Sequence, residues 1–88
     1  IKLVARHEGI DYVDSNGCYH FNVSRHKDTW TIFLPPSMGD NYKLHILSKM
    51  EEKLILPRIS YFLKNNRLFG LFPFKGYNVV ITYDSRLS

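Results

Sequence analysis

The sequence is poor in the residues that build covalent or metal-bound cores. Cys18 is its only cysteine, so neither an internal disulfide nor a zinc site of several cysteines can form within one chain. Small domains without disulfides are typical of reducing compartments, and we expect a cytoplasmic protein of a host cell or a virus. No apolar run approaches the roughly 20 residues that cross a bilayer, so we expect no membrane partner.

Catalytic signatures are also missing. The sequence has no P-loop, Gly-x-Ser-x-Gly elbow or dinucleotide fingerprint. His26–Asp28 places a base, a cation and a carboxylate side by side, but neighbours in a tight turn point in different directions. Glu51–Lys53 resembles the Glu-x-Lys fragment of metal-dependent nucleases, which lies on a strand there, whereas a helix is predicted here. We therefore expect no enzyme and no cofactor.

Scattered metal ligands do not add up to a site. His7, Glu8 and His20 offer ligand atoms, but their spacing does not bring the required three or four together. Cys18 and His20 share one face of a predicted strand and could form a thiol–imidazole pair. Such a thiol is reactive only in a suitable setting of burial and charge, and the pattern favours an unreactive one.

The sequence does contain the alternation of apolar and polar residues that is typical of a small two-layer α+β domain. This domain is predicted to span residues 1–88. We predict an antiparallel sheet made of an N-terminal strand, a three-stranded meander and a C-terminal strand, packed on one main helix. The predicted strands are Ile1–Arg6, Ile10–Asp14, Cys18–Ser24, Thr29–Leu34 and Tyr77–Tyr83.

Turn signals fix a register for the meander. Asn-Gly at residues 16–17 is the strongest short hairpin signal, and it sets Tyr12 opposite Phe21. A four-residue loop at 25–28 sets Val23 opposite Trp30. Both pairings place the large apolar side chains on one face, as the period of two requires. The other face holds Asp11, Val13, Cys18, His20, Asn22, Ser24, Thr29, Thr31 and Phe33.

The main helix is predicted after the meander. Pro35 and Pro36 should end the third strand of the meander because proline cannot donate to the ladder. Asp40 is a suitable N-cap for a helix over about 41–54. Its predicted core stripe, with spacings mostly of three and four, is Leu44, Ile46, Leu47, Met50 and Leu54.

The segment after the main helix has two interpretations. Pro57 either breaks the helix or begins a second short helix over 57–66, as a first helical residue. Residues 59–64 could instead form a strand that turns through Asn65 and Asn66, because asparagine tolerates the left-handed conformation.

Charge is distributed unevenly along the chain. The formal net charge is +4, and no Asp or Glu occurs from Lys53 to Tyr83. Cations alternating with rings suit nucleic acid, because lysine and arginine contact phosphates while rings stack on unpaired bases. The candidate binding residues in this stretch are Arg58, Lys64, Arg67, Lys75, Phe69, Phe72 and Phe74.

These observations predict a small basic, non-enzymatic binding module for DNA or RNA, with Arg25 and Lys27 as secondary contacts. The alternative is an inhibitor, adaptor or subunit that binds an acidic protein surface through an exposed aromatic loop at 69–74, since aromatic residues and arginine dominate interface hot spots. Such a protein could form a homodimer or be encoded by a phage or mobile element.

Overall fold

The computed structural model describes residues 1–65 and 78–83, which form a sheet with a helix packed on one face. Strands β1 to β4 follow one another across the sheet as an antiparallel meander. The far edge of β4 pairs with β5 in antiparallel and with β6 in parallel orientation. The predicted α+β fold is confirmed, except that the C-terminal strand joins the predicted antiparallel sheet in parallel orientation. The elements are β1 (Lys2–Arg6), β2 (Gly9–Asp14), β3 (Gly17–His26), β4 (Thr29–Met38), β5 (Lys43–Leu44), α1 (Lys49–Asn65) and β6 (Asn78–Tyr83).

The core lies between α1 and one face of the sheet. Alternate residues of each central strand point to this face, as the pleat of a strand dictates. The helix adds buried aliphatic side chains at helical spacing. Each fully buried large apolar side chain stabilises the fold by about 1.5–3 kcal/mol. The buried apolar residues are Ile10, Tyr12, Tyr19, Phe21, Val23, Trp30, Ile32, Leu34, Leu47, Ile55, Leu56, Ile59 and Leu63.

The β2–β3 hairpin turns one residue earlier than predicted. The Asp14 carboxylate accepts a hydrogen bond from the Asn16 amide (2.7 Å), which forms the corner before the expected Asn-Gly pair. Tyr12 therefore opposes Tyr19 and not Phe21. Because the register shift is two residues, every side chain stays on its predicted face.

The β3–β4 hairpin is tighter than predicted. Its loop is a two-residue turn, in which Lys27 has a left-handed φ of 56°. Val23 therefore opposes Ile32 and not Trp30. This shift is again even, so the predicted core face is right although the predicted pairs are wrong.

Pro35 and Pro36 do not end the strand, contrary to the prediction, and β4 continues to Met38. The register shifts here, so that residues 34–36 lie opposite Phe21 alone. Residues inside such a bulge need not donate to the ladder, which explains why a strand with two prolines can continue.

The helix begins at Lys49, and Asp40 is not its N-cap. The Ser48 hydroxyl accepts a hydrogen bond from the Glu51 amide (3.1 Å), and the Glu51 carboxylate accepts one from the Ser48 amide (2.9 Å). This reciprocal pair is a capping box, which satisfies two otherwise unpaired amides. The sequence contains this Ser-x-x-Glu spacing, and the helix is capped by Ser48 and not by Asp40.

The first half of the predicted helix is extended instead. Tyr42 has a left-handed φ of 51°, which excludes a right-handed helix at this point. Lys43–Leu44 forms β5. The predicted apolar stripe is consequently wrong: Leu47 is buried, whereas Leu44, Ile46, Met50 and Leu54 are exposed.

A single helix replaces the predicted pair of helices. α1 continues through Pro57 to Asn65, so the alternative strand at residues 59–64 is wrong. The helix also serves as the crossover that a parallel β4–β6 pair requires. In the part of the chain that the structure describes, no helix is long and apolar enough to cross a membrane.

Pro57 is exposed in the middle of α1 and has no N–H to donate to the carbonyl one turn earlier. We expect Pro57→Ala to raise the free energy of unfolding by about 1–3 kcal/mol, because it restores that hydrogen bond and a better helix former. Urea unfolding followed by circular dichroism measures this change. Lys53→Ala, at another exposed position of α1, should change the free energy by less than about 0.5 kcal/mol. A destabilised Pro57→Ala variant would contradict this account of the helix.

Candidate functional site

The predicted cations Arg58 and Lys64 both lie on α1 but differ in their surroundings. The Arg58 guanidinium donates a hydrogen bond to the Tyr12 hydroxyl (2.8 Å), so it closes the edge of the core. Lys64 is exposed in the last turn. Of these two predicted phosphate contacts, only Lys64 therefore points fully into solvent.

Arg25 and Lys27 lie at the β3–β4 turn, on a different element from Arg58 and Lys64. The Arg25 guanidinium is 6.0 Å from the centre of the Trp30 ring, within range of a cation–π contact. The four described cations thus come from two elements, α1 and the β3–β4 hairpin. The remaining predicted contacts lie outside the described residues and stay predictions: Arg67, Lys75, Phe69, Phe72 and Phe74.

A cluster of three different ligand types lies on the opposite face of the sheet from α1. Asp11 on β2 is directly across from His20 on β3, and Cys18 is two residues before His20 on the same face. One ligand atom from each residue lies within 4.8 Å of the other two. We call these residues the Asp11–Cys18–His20 cluster.

The cluster is centred on one ring nitrogen. His20 Nδ1 is 2.8 Å from Asp11 Oδ1 and 3.8 Å from Cys18 Sγ. The other carboxylate oxygen, Asp11 Oδ2, forms an ion pair with Arg6 at 2.5 Å. Asp11 is 5% exposed, and a buried carboxylate needs such partners.

The segment after β4 covers the cluster. The Gly39 amide donates to the Cys18 carbonyl (3.0 Å), and the Gly39 carbonyl lies 3.1 Å from His20 Nε2. Gly39 has a φ of 74°, a conformation that glycine adopts without strain. The Tyr42 ring lies over the His20 imidazole at 4.4 Å with an interplanar angle of 30°. The backbone of Gly39 therefore contacts both the Cys18 carbonyl and the His20 ring.

This geometry does not fit a nucleophilic triad. In a triad the orienting carboxylate and the nucleophile contact opposite nitrogens of the imidazole, whereas Asp11 and Cys18 both face Nδ1 of His20. Burial, and then the nearby Asp11 carboxylate, raise the pKa of the Cys18 thiol. Reactive cysteines need the reverse, a lowered pKa. The arrangement suits binding better than covalent catalysis.

A second polar network joins the start of α1 to the sheet. The Tyr19 hydroxyl donates to Glu51 Oε2 (2.7 Å), and His45 Nε2 lies 2.9 Å from the same oxygen. The Ser48 amide, followed by the Tyr19 hydroxyl and His45, lowers the pKa of Glu51 to about 2. Burial and the Glu51 carboxylate raise the pKa of Tyr19. Glu51 is therefore a structural anion that attaches the helix to β3.

The outer side of α1, which faces away from the sheet, is the third notable surface. Met50, Leu54 and Tyr61 are exposed there by 81, 50 and 69%. Their spacings of four and seven residues place them in one row along the helix. The exposed lysines of the helix lie beside this row: Lys49, Lys53 and Lys64.

Sequence reasoning found part of the Asp11–Cys18–His20 cluster. It placed all three residues on one face, and Cys-x-His at a spacing of two was the visible signal. The predicted register, however, set Asp11 opposite Asn22, one pair further along the strands than His20. Because of this two-residue error in register, the prediction did not place the Asp11 carboxylate beside His20.

Comparisons with protein-family models, with curated proteins and with solved structures found no match to this chain. Its function has to be inferred from the surfaces described above. Two of them are candidate binding surfaces: the outer side of α1 and the Asp11–Cys18–His20 cluster.

The depressed pKa of Glu51 predicts a pH-dependent stability. Its folded-state pKa of about 2 lies below the ordinary 4.5, so its contribution is complete above pH 4.5 and is lost as the pH falls towards 2. Glu51→Gln should lower the free energy of unfolding by about 1.5–3 kcal/mol at pH 7, the value of hydrogen bonds to a charged group. Urea unfolding should show the two proteins converging below pH 4.5.

Glu8→Gln is the control, because it removes an exposed carboxylate from the β1–β2 turn. It measures how the free energy of unfolding changes when the protein loses a negative charge that makes none of the hydrogen bonds of Glu51. A stability difference between wild type and Glu51→Gln that stays constant from pH 6 to pH 3 would contradict the role assigned to Glu51.

Proposed function

We propose that the protein is a non-enzymatic binding module that contacts an acidic partner protein through the outer side of α1. The observation that carries this proposal is the exposed apolar row of Met50, Leu54 and Tyr61. Contiguous exposed apolar surface on a small domain typically marks an interaction site. The core does not use these side chains, since α1 packs through its opposite side.

Charge segregation on α1 supports an acidic partner. Glu51 is bonded to Tyr19 and His45, and the Tyr83 hydroxyl lies 3.4 Å from Glu52 Oε1. Both helical carboxylates are thus half-buried towards the sheet. The outer side is left with lysines only, beside the apolar row. Lysines around an apolar centre complement carboxylates around an apolar groove.

The shape of the surface favours a groove on the partner. α1 has 17 residues and is therefore about 25 Å long. An amphipathic helix of this length commonly lies in an apolar groove, with anchors at spacings of three, four and seven residues. Leu54 and Tyr61 provide the seven-residue spacing, and Met50 extends the row by one turn.

Selection from a displayed library of random peptides tests this proposal. We expect the enriched peptides to combine apolar residues with Asp or Glu, and Leu54→Glu and Tyr61→Glu to weaken their binding by at least about tenfold, as loss of an interface anchor does. Val80→Glu is the matched control, because Val80 is 48% exposed on β6. Circular dichroism checks that each variant is folded. Equal binding of peptides to wild type and both helix variants would refute the proposal.

Nucleic acid is the second candidate partner, and the exposed lysines beside the apolar row on α1 favour it. Lys49, Lys53 and Lys64 could contact phosphates while Tyr61 stacks on a base. Three neutralised phosphates predict that the affinity falls between 50 and 200 mM salt by about 20-fold for a single strand and by about 40-fold for a duplex. Fluorescence anisotropy with a labelled single strand and a labelled duplex measures it.

The two candidates respond differently to substitution. Nucleic-acid binding should weaken steeply with salt and with Lys53→Glu, whereas the proposed protein contact depends chiefly on Leu54 and Tyr61. No detectable binding to either labelled nucleic acid, or a flat salt dependence, would remove the second candidate. Size-exclusion chromatography of the wild type and Leu54→Glu tests whether a second copy of the chain occupies the row.

A further inference from the structure

We propose that the Asp11–Cys18–His20 cluster binds one divalent transition-metal ion of the zinc class per chain. The three residues supply a carboxylate oxygen, a thiolate sulfur and an imidazole nitrogen, which are the ligands that zinc takes in proteins. The site lies on the face of the sheet opposite α1 and is independent of the proposed partner contact.

The two distances from His20 Nδ1 are close to those of a tetrahedral site. Zinc–ligand bonds of about 2.0–2.3 Å place ligand atoms about 3.3–3.6 Å apart. His20 Nδ1 is 2.8 Å from Asp11 Oδ1 and 3.8 Å from Cys18 Sγ. The first distance has to widen and the second to shorten by about half an ångström or less. The ligand atoms of the third pair, Asp11 and Cys18, lie within 4.8 Å of each other.

Groups outside the cluster orient the ligands as they do around known metals. The Gly39 carbonyl lies 3.1 Å from His20 Nε2, and Arg6 pairs with Asp11 Oδ2. Metal-binding histidines usually donate their second N–H to a carbonyl or carboxylate, and ligating carboxylates are hydrogen-bonded in turn. Both outer contacts leave His20 Nδ1 and Asp11 Oδ1 facing the proposed metal.

Both ring nitrogens of His20 face oxygen acceptors, one from Asp11 and one from Gly39. A neutral ring can donate to one of them and a protonated ring to both. When a metal is bound, a neutral His20 would donate from Nε2 to the Gly39 carbonyl and offer its Nδ1 lone pair to the metal. The Gly39 contact is therefore compatible with the proposed site.

Charge and coordination number fit a divalent ion. An ionised Asp11, a thiolate at Cys18 and a neutral His20 together neutralise its two charges. Three protein ligands leave a fourth position for water or for one external donor. The Tyr42 ring lies against His20 and covers one side of the site.

The test is a titration of reduced, metal-free protein with Co²⁺, followed by competition with Zn²⁺. We expect a thiolate-to-cobalt charge-transfer absorption that saturates at one equivalent and disappears when zinc is added. Cys18→Ser should abolish this absorption. His20→Gln and Asp11→Asn should weaken binding by at least about 100-fold, and Arg6→Gln by about tenfold as an outer contact.

Controls separate this site from adventitious binding. The double variant His7→Gln, His26→Gln removes two exposed histidines outside the cluster and should keep the wild-type titration. Zinc should also protect Cys18 of the wild-type protein from a thiol reagent, a measurement that does not depend on the folding of any variant. Absence of the charge-transfer band, no protection of Cys18, or loss of binding in the double variant would each overturn the proposal. So would saturation at half an equivalent, which indicates a site shared between two chains.

Discussion

The backbone register of β3 is the constraint on which the rest of the structure depends. β3 is paired with β2 on one side and with β4 on the other, so two separate pairings fix its register. Its alternation sends Tyr19, Phe21 and Val23 into the core and Cys18 and His20 to the opposite face. A slip of one residue would exchange the two sets and destroy both core and cluster.

The polar junction at Glu51 determines which side α1 presents to solvent. The carboxylate is held by the Tyr19 hydroxyl and by the capping box, so the first turn of the helix has a fixed rotation relative to the sheet. Further along, Arg58 donates to the Tyr12 hydroxyl. These contacts bring the helical carboxylates and one arginine to the sheet side. The exposed lysines and the apolar row on the outer side are the consequence.

The sequence was sufficient to predict which residues share a face of the sheet. It was insufficient to predict which residues pair between strands. Alternation reports which side chains share a face, and any even register shift leaves that pattern unchanged, as Tyr12 opposite Tyr19 illustrates. The start of α1 was missed because Asp40 and Ser48 are both acceptable N-caps. The capping box with Glu51 decided between them. Continuation through Pro57 depends on tertiary packing that propensity does not describe.

The same reasoning explains why the candidate sites were only partly predictable. Cys18 and His20 lie on one strand, so their proximity follows from the period of two alone. Asp11 joins them only through the pairing of β2 with β3, which depends on a hydrogen bond in the Asp14–Asn16 corner. Tyr19 lies between Cys18 and His20 and points the other way, to Glu51. One strand therefore positions the cluster on one face and the start of α1 on the other, and both surfaces require the same β2–β3 register.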